Sequence, residues 1–185
     1  MEYKITTRSE FDTIELAQNI ESEKFENMLI CLDGELGSGK TVFTKGFANA
    51  LGIEESITSP TFTIIKEYNT GEMPLYHMDV YRLDGNTDGI GIEEYFNKGG
   101  VTIIEWAKTI NDILPEERLE IKFKIVDENK RIIIYGVLSV VLVSFISIIT
   151  ISILNNETKV TSEERTWINN NINNIQTVNV VKDSN

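Results

Sequence analysis

Residues 28–41 read Met28-Leu29-Ile30-Cys31-Leu32-Asp33-Gly34-Glu35-Leu36-Gly37-Ser38-Gly39-Lys40-Thr41. The apolar run 28–32 suits a strand buried on both faces. From Gly34 to Thr41 the chain matches G-x-x-x-x-G-K-[ST] in full. A helical pattern then continues to about Leu51, where Gly52 suits the position just past a helix end. Strand, glycine loop and helix in this order predict a phosphate-binding loop. Gly34, Gly37 and Gly39 let the backbone take left-handed angles and turn its amides inward. A helix starting near Lys40 adds partial positive charge to that nest. Lys40 then reaches the β- and γ-phosphates of a nucleotide, and the Thr41 hydroxyl reaches magnesium. The pattern predicts ATP and Mg2+ as ligands.

Working outward, residues 9–20 carry apolar side chains at helical spacing behind Ser9, a natural N-cap. Strands are expected over 61–68, 74–79, 101–106 and 119–126, with a turn at Gly71-Glu72 and a loop over 84–91. Alternation of this kind predicts an α/β fold with a central sheet flanked by helices. Magnesium needs a second anchor, commonly a carboxylate at the end of a neighbouring strand. Asp79 and Glu105 both follow apolar runs, and either suits that role. His77, the only histidine, reads as a packed strand residue or a catalytic one. Arg82 could neutralise phosphate charge or pair with an acid, and Trp106 could stack on a base or fill core.

A chain of 185 residues has room for one ordinary domain and an appendage. Its single cysteine, Cys31, lies in the first apolar run and reads as reduced and buried. No apolar stretch follows Met1-Glu2-Tyr3-Lys4, so no signal peptide is expected and the domain is placed in the cytoplasm. The formal net charge is −12, nearly all of it within residues 1–131, which disfavours direct binding to a phosphate backbone. The character then changes. Residues 132–154 contain no charged side chain and, as a helix, would span about 34 Å, enough to cross a bilayer. Lys130 and Arg131 precede this run, a polar Asn-rich tail over 155–185 follows it, and basic flanks favour the cytoplasmic side. The expected organisation is a domain over 1–131, a candidate transmembrane helix over 132–154, and the tail. The alternative is that residues 132–135 finish the sheet.

Some nucleotide-binding classes can be argued down. Asn97-Lys98-Gly99-Gly100 starts like a guanine-reading N-K-x-D but lacks the acid, and no L-S-G-G signature of a transport ATPase occurs. Five arginines in the whole chain are few for the arginine-rich lid of a small-molecule kinase.

Five blocks carry a family resemblance. They are Gly34 to Thr41 with Phe43, Thr44, Lys45 and Gly46; Ser59-Pro60-Thr61-Phe62-Thr63 followed by Glu67-Tyr68; Tyr76-His77-Met78-Asp79-Val80-Tyr81-Arg82-Leu83; Gly91-Ile92-Glu93-Glu94-Tyr95-Phe96; and Ile104-Glu105-Trp106. In that order and spacing, over residues 1–131, the chain resembles the bacterial TsaE (YjeE) family. The resemblance implies a P-loop NTPase fold with a mixed sheet. It also implies ATP hydrolysis supporting N6-threonylcarbamoyladenosine formation at position 37 of tRNAs that read codons beginning with A. The implied partners are TsaD and TsaB, with tRNA engaged through their complex. Carried across the matched motifs, Gly37, Ser38, Gly39, Lys40 and Thr41 hold phosphates, Glu35 and Leu36 join them in binding the nucleotide, and Thr41 and Glu105 bind magnesium. Asp79 lies near the metal and attacking water, and Thr61 senses the γ-phosphate. Trp106 lies beside the nucleotide, which Glu10 and Arg131 approach in some members. The resemblance ends near residues 131–135, where the apolar run stands in place of the usual ending. That run reads as a membrane tether or as a gene-junction product. Two other readings remain open, a membrane-anchored nucleotide switch and a small P-loop kinase.

Overall fold

A computed structural model describes residues 2–128 and 130–137. Its strands are β1 (Glu2–Thr7), β2 (Met28–Gly34), β3 (Ile65–Tyr68), β4 (Leu75–Asp79), β5 (Val101–Glu105), β6 (Leu119–Ile125) and β7 (Arg131–Val137). Helices α1 (Glu10–Glu21) and α2 (Lys40–Ala50) follow β1 and β2, and short 3-10 segments occupy Tyr81–Leu83, Ile92–Asn97 and Ala107–Ile113. All seven strands form one sheet in the order β1-β7-β6-β2-β5-β4-β3. The centre, β6-β2-β5-β4, is parallel; β3 closes one edge antiparallel, and β7 and β1 close the other in the same sense. This is the expected mixed α/β sheet.

Local chemistry explains the helices. Ser9 caps α1 by accepting from the Asp12 amide at 3.1 Å, while Asp12 accepts from the Arg8 amide at 2.8 Å. Glu10 and Asp12 also place negative charge where the helix dipole favours it. Leu16, Ala17 and Ile20 turn inward and meet α2, whose Phe43 and Phe47, with Leu51 just past its end, cover one face of the sheet. The opposite face buries Leu29, Cys31, Tyr76, Met78 and Ile104 under the 3-10 segments. Burial pushes the Cys31 thiol up to about 12, so it is packing material with no thiolate to offer at neutral pH.

Three expectations change. Residues 61–64 form a turn instead of extending β3: the Ile64 amide donates to the Pro60 carbonyl at 2.7 Å, with Ile64 at φ 66°. β1 supplies a strand that the sequence pattern left unassigned. The boundary after residue 131 falls inside the sheet, because Arg131–Val137 is β7, paired on both sides and burying Ile133 and Tyr135. A helix over 132–154 is therefore not what its first six residues form. Residues 138–154 and the tail over 155–185 lie outside the described residues. Among the described residues no helix is long and apolar enough to cross a membrane.

Candidate functional site

The parallel strands end together, and the loops leaving β2, β4 and β5 meet there. After β2 the chain turns at Gly34, where φ is 148° and a Cβ would meet the Phe123 carbonyl oxygen at 2.6 Å. No larger residue fits that approach. Gly39 is the N-cap of α2 at φ 105° and brings no side-chain cap to its first turn. The amides at that end thus keep the partial positive charge that suits an anion.

Lys40 folds back over its own loop. Its Nζ donates to the carbonyls of Gly34 at 2.8 Å and Glu35 at 2.9 Å, with Ser38 Oγ at 3.5 Å. It also stands 3.9 Å from the Trp106 ring centroid. Burial lowers the Lys40 pKa, opposed by the nearby carboxylates of Glu105, Asp79 and Asp33. Trp106 owes its place to backbone geometry. It sits at φ 64°, donates its amide to the Leu32 carbonyl at 2.8 Å, and leads into a segment whose Lys108 amide donates to Asp33 Oδ1 at 3.0 Å. The Tyr81 ring packs on it at 4.7 Å. Asp33 thus fixes the turn that carries Trp106, a role the sequence did not single out. Its position just before Gly34 was the available signal.

Register sets the two acids side by side, but their partners differ. Asp79 and Glu105 are direct neighbours on β4 and β5, both almost fully buried. Glu105 meets the loop: Thr41 Oγ1 donates to it, at 2.9 Å from Oε1 and 3.2 Å from Oε2. Its Oε1 also lies 2.8 Å from His77 Nε2. Asp79 instead accepts from Ser59 Oγ at 2.7 Å and Thr61 Oγ1 at 2.8 Å through Oδ2, and from the Tyr81 amide at 3.1 Å through Oδ1. The turn over 61–64 brings Thr61 to that carboxylate, helped by the Asp79 amide donating to the Ile64 carbonyl at 2.9 Å.

Lys40, Thr41, Thr61, Asp79, Glu105 and Trp106 are thereby gathered into one site with the glycine loop. Glu35 contributes its carbonyl, and the Leu36 side chain stands exposed above the loop. Glu10 and Arg131 lie at the same end of the sheet but toward its far edge. Glu10 is exposed at the start of α1, and Arg131 donates to the Glu128 carbonyl at 2.7 Å. Arg82 holds its guanidinium 4.3 Å over the exposed Phe62 ring.

This arrangement has known relatives. A family model described as threonylcarbamoyl adenosine biosynthesis protein TsaE matches residues 7–133. The tRNA threonylcarbamoyladenosine biosynthesis protein TsaE of Bacillus subtilis is 53% identical over 103 residues, covering 56% of this chain and 65% of that relative's length. Its namesake in Treponema pallidum is 44% identical over 108 residues, 57% of this chain and 79% of the relative. A crystal structure of Bacillus subtilis YdiB superposes with a TM-score of 0.70 at 36% identity, covering 85% of this chain and 97% of the other. With the family model running from the last residue of β1 into β7, the match takes in strands β2 to β6 whole with both helices, and the chain belongs to the TsaE family.

Proposed function

We propose that this chain is an ATP-hydrolysing component of tRNA N6-threonylcarbamoyladenosine synthesis, acting with a TsaD–TsaB pair. The observation that carries the nucleotide reading is the Thr41–Glu105 contact directly beside a lysine held by its own glycine loop. The relatives' names supply the pathway.

The donor set fits magnesium. A hydroxyl and a carboxylate 2.9 Å apart are hard oxygen ligands of the kind that ion takes from protein when phosphates and water complete its shell. Among the described residues no group of three or more His, Cys, Asp or Glu could hold a metal alone, so the cation would arrive with the nucleotide. Thr41 and Glu105 would hold it, and its charge would offset the negative charge developing on the phosphates. Lys40 would exchange the Gly34 and Glu35 carbonyls for phosphate oxygens, a stronger charge-assisted partner. Asp79, beside Glu105, would orient the attacking water, and Thr61 would leave Asp79 to contact the γ-phosphate. Trp106 walls the site. Phosphoryl transfer of this kind depends on positioning and charge more than on covalent help. Among the described residues, Arg82 packs on Phe62 and Arg131 on the Glu128 carbonyl, so turnover by the isolated chain should be slow and rise with partners that complete the site.

The test compares wild-type and Lys40→Ala protein in ATP binding and in a tRNA modification assay reconstituted with TsaD–TsaB. Wild type should bind ATP with magnesium and support modification, releasing free phosphate, and the variant should do neither. A variant that supports modification at the normal rate sinks the ATP requirement. A phosphorylated metabolite in place of free phosphate would mark a kinase.

A further inference from the structure

His77 is fully buried in the middle of β4, on a face that carries apolar Leu75 and Ile103 toward the strand starts and Asp79 and Glu105 toward the strand ends. A residue kept there for packing alone has no need of ring nitrogens. His77 Nε2 lies 2.8 Å from Glu105 Oε1, while Nδ1 is buried and has no hydrogen-bond partner. The pairing assigns the tautomer. A neutral ring carrying its proton on Nε2 donates to the carboxylate and leaves only a lone pair unpaired at Nδ1, which costs less than a stranded N–H.

The Glu105 oxygens are consequently unequal. Oε1 receives both His77 and the shorter contact from Thr41, whereas Oε2 has only the longer Thr41 contact at 3.2 Å. We infer that His77 is a positioning residue: its Nε2–H clamps Oε1 of Glu105 and so presents Oε2, together with the Thr41 hydroxyl, to a divalent cation. The clamp acts from beneath the sheet end and need never touch nucleotide. Without it only Thr41 holds the glutamate carboxylate, and the cation must complete its ordering. This inference rests on the nucleotide-site reading above.

The test is the magnesium dependence of binding of a fluorescent ATP analogue to the full chain, with a parallel titration in EDTA. His77→Leu removes the donor, whereas His77→Gln keeps an N–H near the position of Nε2. His77→Leu should need on the order of 10- to 100-fold more magnesium for half-maximal binding, the usual effect of losing a group that orients a metal ligand. Binding in EDTA should be unchanged, and His77→Gln should recover the wild-type requirement. An unaltered requirement in His77→Leu, or an equal loss in both variants, overturns the inference. Wild-type protein that binds no analogue in either medium overturns the nucleotide reading itself.

A second measurement needs no variant. As the only histidine in the chain, His77 gives one set of imidazole nitrogen resonances in untagged protein. The expected spectrum is that of the neutral Nε2–H form, with Nε2 shifting when magnesium is added to the nucleotide-bound chain. An Nδ1–H tautomer, or an Nε2 resonance indifferent to magnesium, sinks the proposal.

Discussion

Asp79 and Glu105 stand side by side at the ends of β4 and β5 but answer to different partners. Glu105 is bound to α2 through Thr41; Asp79 is bound to the 59–61 turn through Ser59 and Thr61. Under the proposed function, that division would separate holding the cation from handling the reaction. Asp79→Asn keeps an oxygen that can accept from Ser59 or Thr61 and removes the charge. We expect it to bind ATP nearly as well as wild type and to lose about 10²–10³ in hydrolysis rate, the usual scale for deleting a group aimed at the reacting centre. Single-turnover kinetics alongside equilibrium binding would check this, and unchanged turnover would remove Asp79 from the reacting set. The strand pattern could not choose between the two acids, because both follow apolar runs; only the family resemblance gave magnesium to Glu105. What tells them apart in the structure, the contact of Glu105 with Thr41, depends on where α2 lies over the parallel register, which no linear pattern encodes. Trp106 was similarly undecided, since its exposure depends on a left-handed backbone angle held by Asp33 and Leu32.

Elements were most legible where one physical signal dominated. Strand β2, the glycine loop and α2 follow from an apolar run, three glycines and a helical period, and α1 from its Ser9 cap. Turn 61–64 defied its β-branched composition because the Pro60 carbonyl and Ile64 amide close it, putting a branched residue at an unfavourable φ of 66°. The α1–α2 contact shows how narrowly the helices are fitted. A Cβ at Gly46 would lie 2.9 Å from Ile14 Cα and 3.0 Å from the Ile14 carbonyl oxygen. Replacing a helical glycine with alanine ordinarily stabilises by roughly 0.5–1 kcal/mol. Overpacking against backbone costs about 1–3 kcal/mol, so the clash should win. Gly46→Ala is therefore expected to lower stability by on the order of 1 kcal/mol in urea denaturation. A gain in stability would mean that the helices separate at little cost.

At the scale of the whole molecule, the decisive element is the one hidden in the apolar run. A strand buried on both faces and a membrane helix look alike until length separates them, and here the run continues well past the strand's end. The alternative that residues 132–135 finish the sheet is the one pairing selects, and the partner β1 is a short edge strand with a weak alternating pattern. The two depend on each other: β1 pairs with β7 alone, and Tyr3 stacks on Tyr135 at 5.5 Å. A chain ending after residue 131 would lose Ile133 and Tyr135 from the core, leave β1 without a ladder, and expose the edge of β6. Burying each such side chain is worth roughly 1.5–3 kcal/mol, and the unpaired strand adds to the loss. Domains of this kind have only about 5–15 kcal/mol in total. Truncation after residue 131 should therefore abolish cooperative unfolding, whereas truncation after residue 137 should retain a single transition. Circular dichroism through a urea titration distinguishes them. A cooperative, ATP-binding 1–131 chain would show that β1 and β7 are dispensable and that the domain closes at β6.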